Sequence, residues 1–190
     1  MPAHMVNAYY NPQKNLIVFP AAILQAPFYS LEQSSSANYG GIGAVIAHEI
    51  SHAFDSNGAS FDEYGSLNNW WTEEDYAAFE SRTQQVIDQF EGQDSYGAKI
   101  NGKLTVSENI ADLGGIAAAL EAAKSEEDFS AEEFFTNFAR IWRMKARPEF
   151  MQMLASVDVH APGHLRTNIQ LPNFDEFHET FGVQEGDGMW

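Results

Sequence analysis

The chain has 190 residues, 44% of them apolar and 13% aromatic, which is enough for one packed core and excludes a disordered chain. Acids outnumber bases 27 to 10, a formal net charge of −17, so the surface repels phosphate backbones and anionic lipid and no nucleic-acid partner is expected. Cysteine is absent, which rules out a disulfide framework and thiolate chemistry.

Residues 6–10 and 16–19 are rich in strand formers and flank the turn residues Asn11-Pro12-Gln13-Lys14-Asn15, so a β-hairpin is expected at the front. Polar residues 31–40 lead into a helix expected over about 41–55, where Ile42, Val45, Ile46, Glu49 and Ile50 keep helical spacing despite two glycines at its start. Asn57-Gly58 and Tyr64-Gly65 signal turns between 56 and 70. Residues 72–75, 105–108 and 130–133 read as capping boxes and open helices expected to reach about Phe90, Lys124 and Lys145. Arg147-Pro148 breaks the last of these. A helix over about 149–156, a loop over 157–171 and a short helix from Asn173 follow. The predicted class is mainly α (α+β), with one small strand unit. No apolar run is long enough to span a membrane, and residues 1–5 lack the charge and apolar pattern of a signal peptide.

The sharpest motif is His48-Glu49-Ile50-Ser51-His52, inside the first predicted helix. Residues four apart share a helix face, so both imidazoles can reach one zinc ion, and the intervening glutamate can act as general base on metal-bound water. A catalytic zinc takes three protein ligands and leaves a fourth position open. Glu108-Asn109-Ile110-Ala111-Asp112 offers the next candidates. Glu108 can be the third ligand, although it also completes a capping box with Thr105, a role that needs no metal. Asp112 can accept the free N–H of a ligand histidine and fix its tautomer. Asp55 can do the same for His52, or serve as a helix-end carboxylate.

With Val6-Asn7-Ala8-Tyr9-Tyr10, these motifs make nearly the whole chain resemble the neprilysin family of zinc endopeptidases, in particular its bacterial oligopeptidases O. The resemblance implies a zincin-like (thermolysin-like) helical catalytic lobe behind a small N-terminal hairpin. It implies one zinc held by His48, His52 and Glu108, with Glu49 as catalytic base and Asp112 and Asp55 supporting the two histidines. His160 matches the residue that stabilises the transition state, and Arg166 one that binds a substrate carbonyl. Asn7 and Ala8 match the pair that hydrogen-bonds the substrate main chain, in line with an edge strand that adds a peptide. Phe28, Val45 and Trp142 match the pocket for the residue after the cut, and plain core packing competes for all three.

The family's other lobe precedes this region and caps the site. Residues 1–190 are therefore expected to be a single catalytic lobe, a C-terminal fragment of a longer two-lobe peptidase, with self-association possible through apolar surface left for that lobe. The cysteine-free ending Gly186-Asp187-Gly188-Met189-Trp190 suggests a bacterial, cytoplasmic member. The expected activity is endopeptidase cleavage of oligopeptides before large apolar residues. A zinc aminopeptidase, a zinc-binding lobe that is silent without its cap, and a metal-free helical domain stay open.

Overall fold

In the computed structural model, which describes residues 1–190, two short strands open the chain. Strands β1 (Tyr9–Asn11) and β2 (Leu16–Val18) pair antiparallel, with Tyr9 opposite Val18 and Asn11 opposite Leu16. The turn between them is built by its sequence: the Asn11 side chain accepts from the Lys14 amide, Pro12 presets the first turn residue, and Asn15 adopts the left-handed conformation.

A continuous helical run follows. Helix α1 (Ser35–Asn38), capped by Ser34, passes through a π turn at Tyr39–Gly43 into α2 (Ala44–Ser51), and a 3-10 turn, His52–Phe54, ends it. The run begins about six residues before the predicted start, because Ser34 accepts from the Ala37 amide and nucleates it there. Helix α3 (Glu73–Phe90) opens on the predicted capping box, in which Thr72 and Asp75 satisfy each other's backbone amides. A second hairpin, β3 (Asp94–Ser95) with β4 (Ala98–Lys99), is an addition to the predicted elements; Tyr96 and Gly97 both take positive φ at its turn.

Helix α4 (Gly102–Ala123) starts about three residues before the predicted position. Asn101 caps it by accepting from the Leu104 amide, so Thr105 lies inside the helix and the capping-box role for Glu108 falls away. Helix α5 (Ala131–Ile141) stops about four residues short of the expected end. Helices α6 (Pro148–Val157) and α8 (Asp175–Phe181) lie close to the predicted spans. Between them the expected loop contains a short helix, α7 (Gly163–Asn168), which has no side-chain cap to announce it.

Helix α4 is the axis of the packing. Its Ile116, Ala119, Leu120 and Ala123 meet Ala44 of α2, Phe134, Phe135 and Phe138 of α5, and Phe177 of α8 in the main core. A second cluster joins α3, α6 and α7 through Phe90, Ala155 and Leu165. A third, of Ala8, Ile23, Ile42, Val45 and Ile141, packs the hairpin against α2. Where α2 crosses α4 the backbones touch: a Cβ on Gly115 would lie 2.8 Å from the His48 amide nitrogen and 2.9 Å from the Ala44 carbonyl. Only glycine allows that approach. Glu108, Asp112 and Gly115 share one face of α4, at spacings of four and three, so the crossing brings both carboxylates to His48. No helix is long and apolar enough to cross a membrane.

Candidate metal centre

His48 lies in the last turn of α2 and His52 opens the 3-10 turn that follows, so the pair straddles the helix end. Their Nε2 atoms stand 3.0 Å apart. Oε2 of Glu108, arriving from α4, is 3.2 Å from His48 Nε2 and 3.5 Å from His52 Nε2. One ligand atom from each of these residues therefore converges within 4.8 Å of the other two.

The outer nitrogen of each imidazole is already committed. His48 Nδ1 lies 2.8 Å from Asp112 Oδ1, and His52 Nδ1 lies 2.7 Å from Asp55 Oδ2. A carboxylate at Nδ1 places the proton there and leaves the Nε2 lone pair facing inward. The two carboxylates are supported differently. Asp55 accepts from the Asn57 and Gly58 amides at 2.8 Å each and from the Ser107 hydroxyl at 2.6 Å. Asp112 receives the Arg166 guanidinium through Nε at 2.7 Å and a terminal nitrogen at 2.6 Å, a two-pronged bond that matches the carboxylate plane. Arg166 also lies over Trp142, its Cζ 3.5 Å from the ring centroid.

The electrostatics favour positive charge at the convergence point. Burial works against a charged His52, but its bonds to Asp55 and Glu108 outweigh this and push it up to about 10. Burial likewise opposes the Glu108 carboxylate, yet His160, His48 and His52 hold it far below the usual carboxylate range. Glu108 Oε2 is buried with three imidazole nitrogens 3.2–3.5 Å away, none of them in good hydrogen-bond alignment. With Nδ1 of each histidine held by a carboxylate, the two Nε2 atoms and a carboxylate oxygen converge on one point, where either protons or a cation can balance the Glu108 charge, and the donor set fits a divalent metal with nitrogen and oxygen ligands.

Glu49 is 5% exposed at the edge of this cluster; burial raises its pKa, against the pull of the two histidines. His160 approaches from the segment before α7, its Nε2 3.2 Å from Glu108 Oε2 and its Nδ1 2.8 Å from Asp158 Oδ1. Its bond to Glu108 is the main cause of its raised pKa, with Asp158 adding to it. Asp158 and Ser107 join the site without having stood among the sequence candidates. Asp158 lies two residues before His160 and Ser107 immediately precedes Glu108, and an Asp-x-His triplet is a weak but readable sign of an oriented imidazole.

All the ligand, catalytic and substrate-contact candidates read from the sequence line one cleft of about 530 Å³. Asn7 and Ala8 form its rim just before β1, where the Asn7 side-chain oxygen accepts from the Ala8 amide. Phe28, Val45 and Trp142 form an apolar wall and also belong to or pack against the third core cluster, so core packing and pocket lining coincide there. His164, unlike His160, lies away from the cleft and meets Tyr96 edge-on.

Residues 7–190 match the family model described as Peptidase family M13. A neutral endopeptidase of Lactococcus lactis is 65% identical over 190 residues, covering 100% of this chain and 30% of that protein. Human neprilysin is 41% identical over 204 aligned residues, covering 98% of this chain and 27% of its own. The crystal structure of the Mycobacterium tuberculosis zinc metalloprotease Zmp1 in complex with inhibitor superimposes with a TM-score of 0.90 at 41% identity, covering 99% of this chain and 31% of that one. The chain thus spans about 30% of the length of the curated relatives it matches.

Proposed function

The chain belongs to peptidase family M13, the neprilysin family named by its sequence motifs, and on that premise we propose that it is the catalytic lobe of a zinc-dependent endopeptidase acting on oligopeptides. The observation that carries this reading is the convergence of His48 Nε2, His52 Nε2 and Glu108 Oε2 in a cleft that also holds Glu49. In this proposal residues 1–190 are one lobe, and the rest of a longer chain supplies the cap over the cleft. A bacterial cytoplasmic setting belongs to the same proposal.

His48, His52 and Glu108 would hold the zinc ion, which supplies Lewis acidity toward water and the scissile carbonyl. Glu49 then takes a proton from the attacking water and passes it to the leaving amine; its burial, which raises its affinity for a proton, suits both halves of that task. His160, oriented by Asp158, donates to the carbonyl oxygen as negative charge develops on it. Asn7 and Ala8 hydrogen-bond the peptide main chain beside β1. Arg166 keeps guanidinium N–H groups beyond those committed to Asp112, and these can meet a substrate carbonyl. The wall of Phe28, Val45 and Trp142 favours a large apolar residue after the cut.

Glu49→Gln tests the assignment. The variant should retain zinc at wild-type stoichiometry while hydrolysis of an N-blocked, internally quenched oligopeptide falls by roughly 10²- to 10⁴-fold. Undiminished cleavage would remove Glu49 from its role. Cleavage confined to peptides with a free amino terminus would replace the endopeptidase reading with an aminopeptidase.

A further inference from the structure

Trp142 faces the cleft, but its other contacts run away from substrate. It is the residue at which α5 ends. Gly163, the first residue of α7, is pressed against it: a Cβ there would fall 2.2 Å from the Trp142 carbonyl oxygen and 3.4 Å from its Cβ. One turn later Arg166 returns over the indole, with its Cζ 3.5 Å from the ring centroid. The backbone of Trp142 thus packs against the start of α7, and its ring lies against the guanidinium. From that position Nε and one terminal nitrogen reach the two oxygens of Asp112, and Asp112 Oδ1 in turn holds His48 Nδ1. The other histidine has no such link, because Asp55 is anchored by neighbouring amides and Ser107.

We infer that Trp142 is a positioning residue for the metal ligand His48, acting through Arg166 and Asp112, so that one wall of the apolar pocket and one ligand of the metal are mechanically a single unit. This rests on the zinc site proposed above. The order of contacts makes the inference specific. Phe28 lines the same pocket but touches neither Arg166 nor Asp112 in any hydrogen bond or stacking contact of the structure. If Trp142 merely shaped the pocket, replacing either aromatic would alter peptide affinity alone. If it positions His48, only its replacement reaches the metal.

The test is zinc retention, measured as transfer of zinc to a chelating dye, for the wild type, Trp142→Leu, Trp142→Phe, Arg166→Met, the double variant Trp142→Leu/Arg166→Met, and Phe28→Leu. Partners of ligand histidines typically contribute 10- to 100-fold to metal affinity, so Arg166→Met should loosen zinc about tenfold. Trp142→Leu should approach that loss, and Trp142→Phe, which keeps a smaller ring under the guanidinium, should lose less. Phe28→Leu should raise KM without moving zinc affinity. In the Arg166→Met background, Trp142→Leu should add nothing, since the path is already cut. An additive loss in the double variant, or wild-type retention in Trp142→Leu, overturns the inference. Should Trp142→Leu fail to fold, the same cycle run with Trp142→Phe decides the question. Absence of zinc from the wild type itself would instead overturn the proposed metal site, a separate result.

Discussion

Replacing Asp112 by Asn is the most informative single change, because the carboxylate is 3% exposed and serves two partners at once. Burial alone would raise its pKa, but the Arg166 charge and the His48 bond lower it from 3.8 to about 2. At about 1.4 kcal/mol per unit, that difference corresponds to roughly 2 kcal/mol of folding stability at neutral pH. The sign follows from the depressed folded-state value: the contribution is complete above about pH 5 and is lost as pH falls from about 4 toward 2. The amide of Asp112→Asn would also leave the Arg166 guanidinium buried without its charge partner, and breaking a buried pair costs roughly 3–5 kcal/mol. The metal-free variant should therefore unfold about 2–5 kcal/mol more easily at pH 7, or some 5–15 °C lower for a chain of this size. Urea titrations of the metal-free wild type and variant from pH 7 down to pH 3 measure the gap, which should narrow below about pH 4. Equal stability at pH 7, or a gap indifferent to acid, would refute the electrostatic account of Asp112.

Two further changes probe other links. Gly115→Ala forces a methyl group against the His48 amide and the Ala44 carbonyl, so α2 and α4 must separate. Denaturant unfolding should show a loss of about 1–3 kcal/mol, with zinc binding weakened in proportion as Glu108 moves off the histidines. Asp158→Asn removes the carboxylate from His160 Nδ1, 2.8 Å away, while leaving the converging atoms of His48, His52 and Glu108 untouched. Steady-state kinetics should show kcat reduced by about one to two orders of magnitude at unchanged zinc content, as expected for loss of an orienting partner.

The part of the site written in short-range spacing is legible in the amino-acid order alone. His48, Glu49 and His52 fall within about one and a half turns of helix, so their mutual placement follows from helical geometry. Glu108 is harder, because a capping box with Thr105 explains it equally well; Asn101 decides between the two by starting α4 earlier. Family resemblance, not periodicity, singles out His160 and Arg166, whose neighbours are set by the docking of α7. That helix is six residues long without a side-chain cap, and the β3–β4 hairpin has two-residue strands, so neither leaves a periodic signal. The π turn at Tyr39–Gly43 is invisible for a different reason: its shape answers a tertiary contact, the Ile42 amide donating to the Phe28 carbonyl at 2.7 Å. The apolar wall stays divided between two roles because Val45 and Trp142 perform both, with one side of each turned to the core and the other to the cleft.

The crossing of α2 and α4 has a thermodynamic side. A chain without cysteine has no covalent staple, yet an ion shared by His52 and Glu108 would tie together two points about 56 residues apart, closing a loop worth about 4 kcal/mol in chain entropy if the ion binds only the folded form. Everything inside that loop, including the turns after Asp55, helix α3 and the second hairpin, would then owe part of its order to metal supply. Chelation would act on this molecule much as a reducing agent acts on a disulfide-bonded one, reversibly and far beyond the cleft.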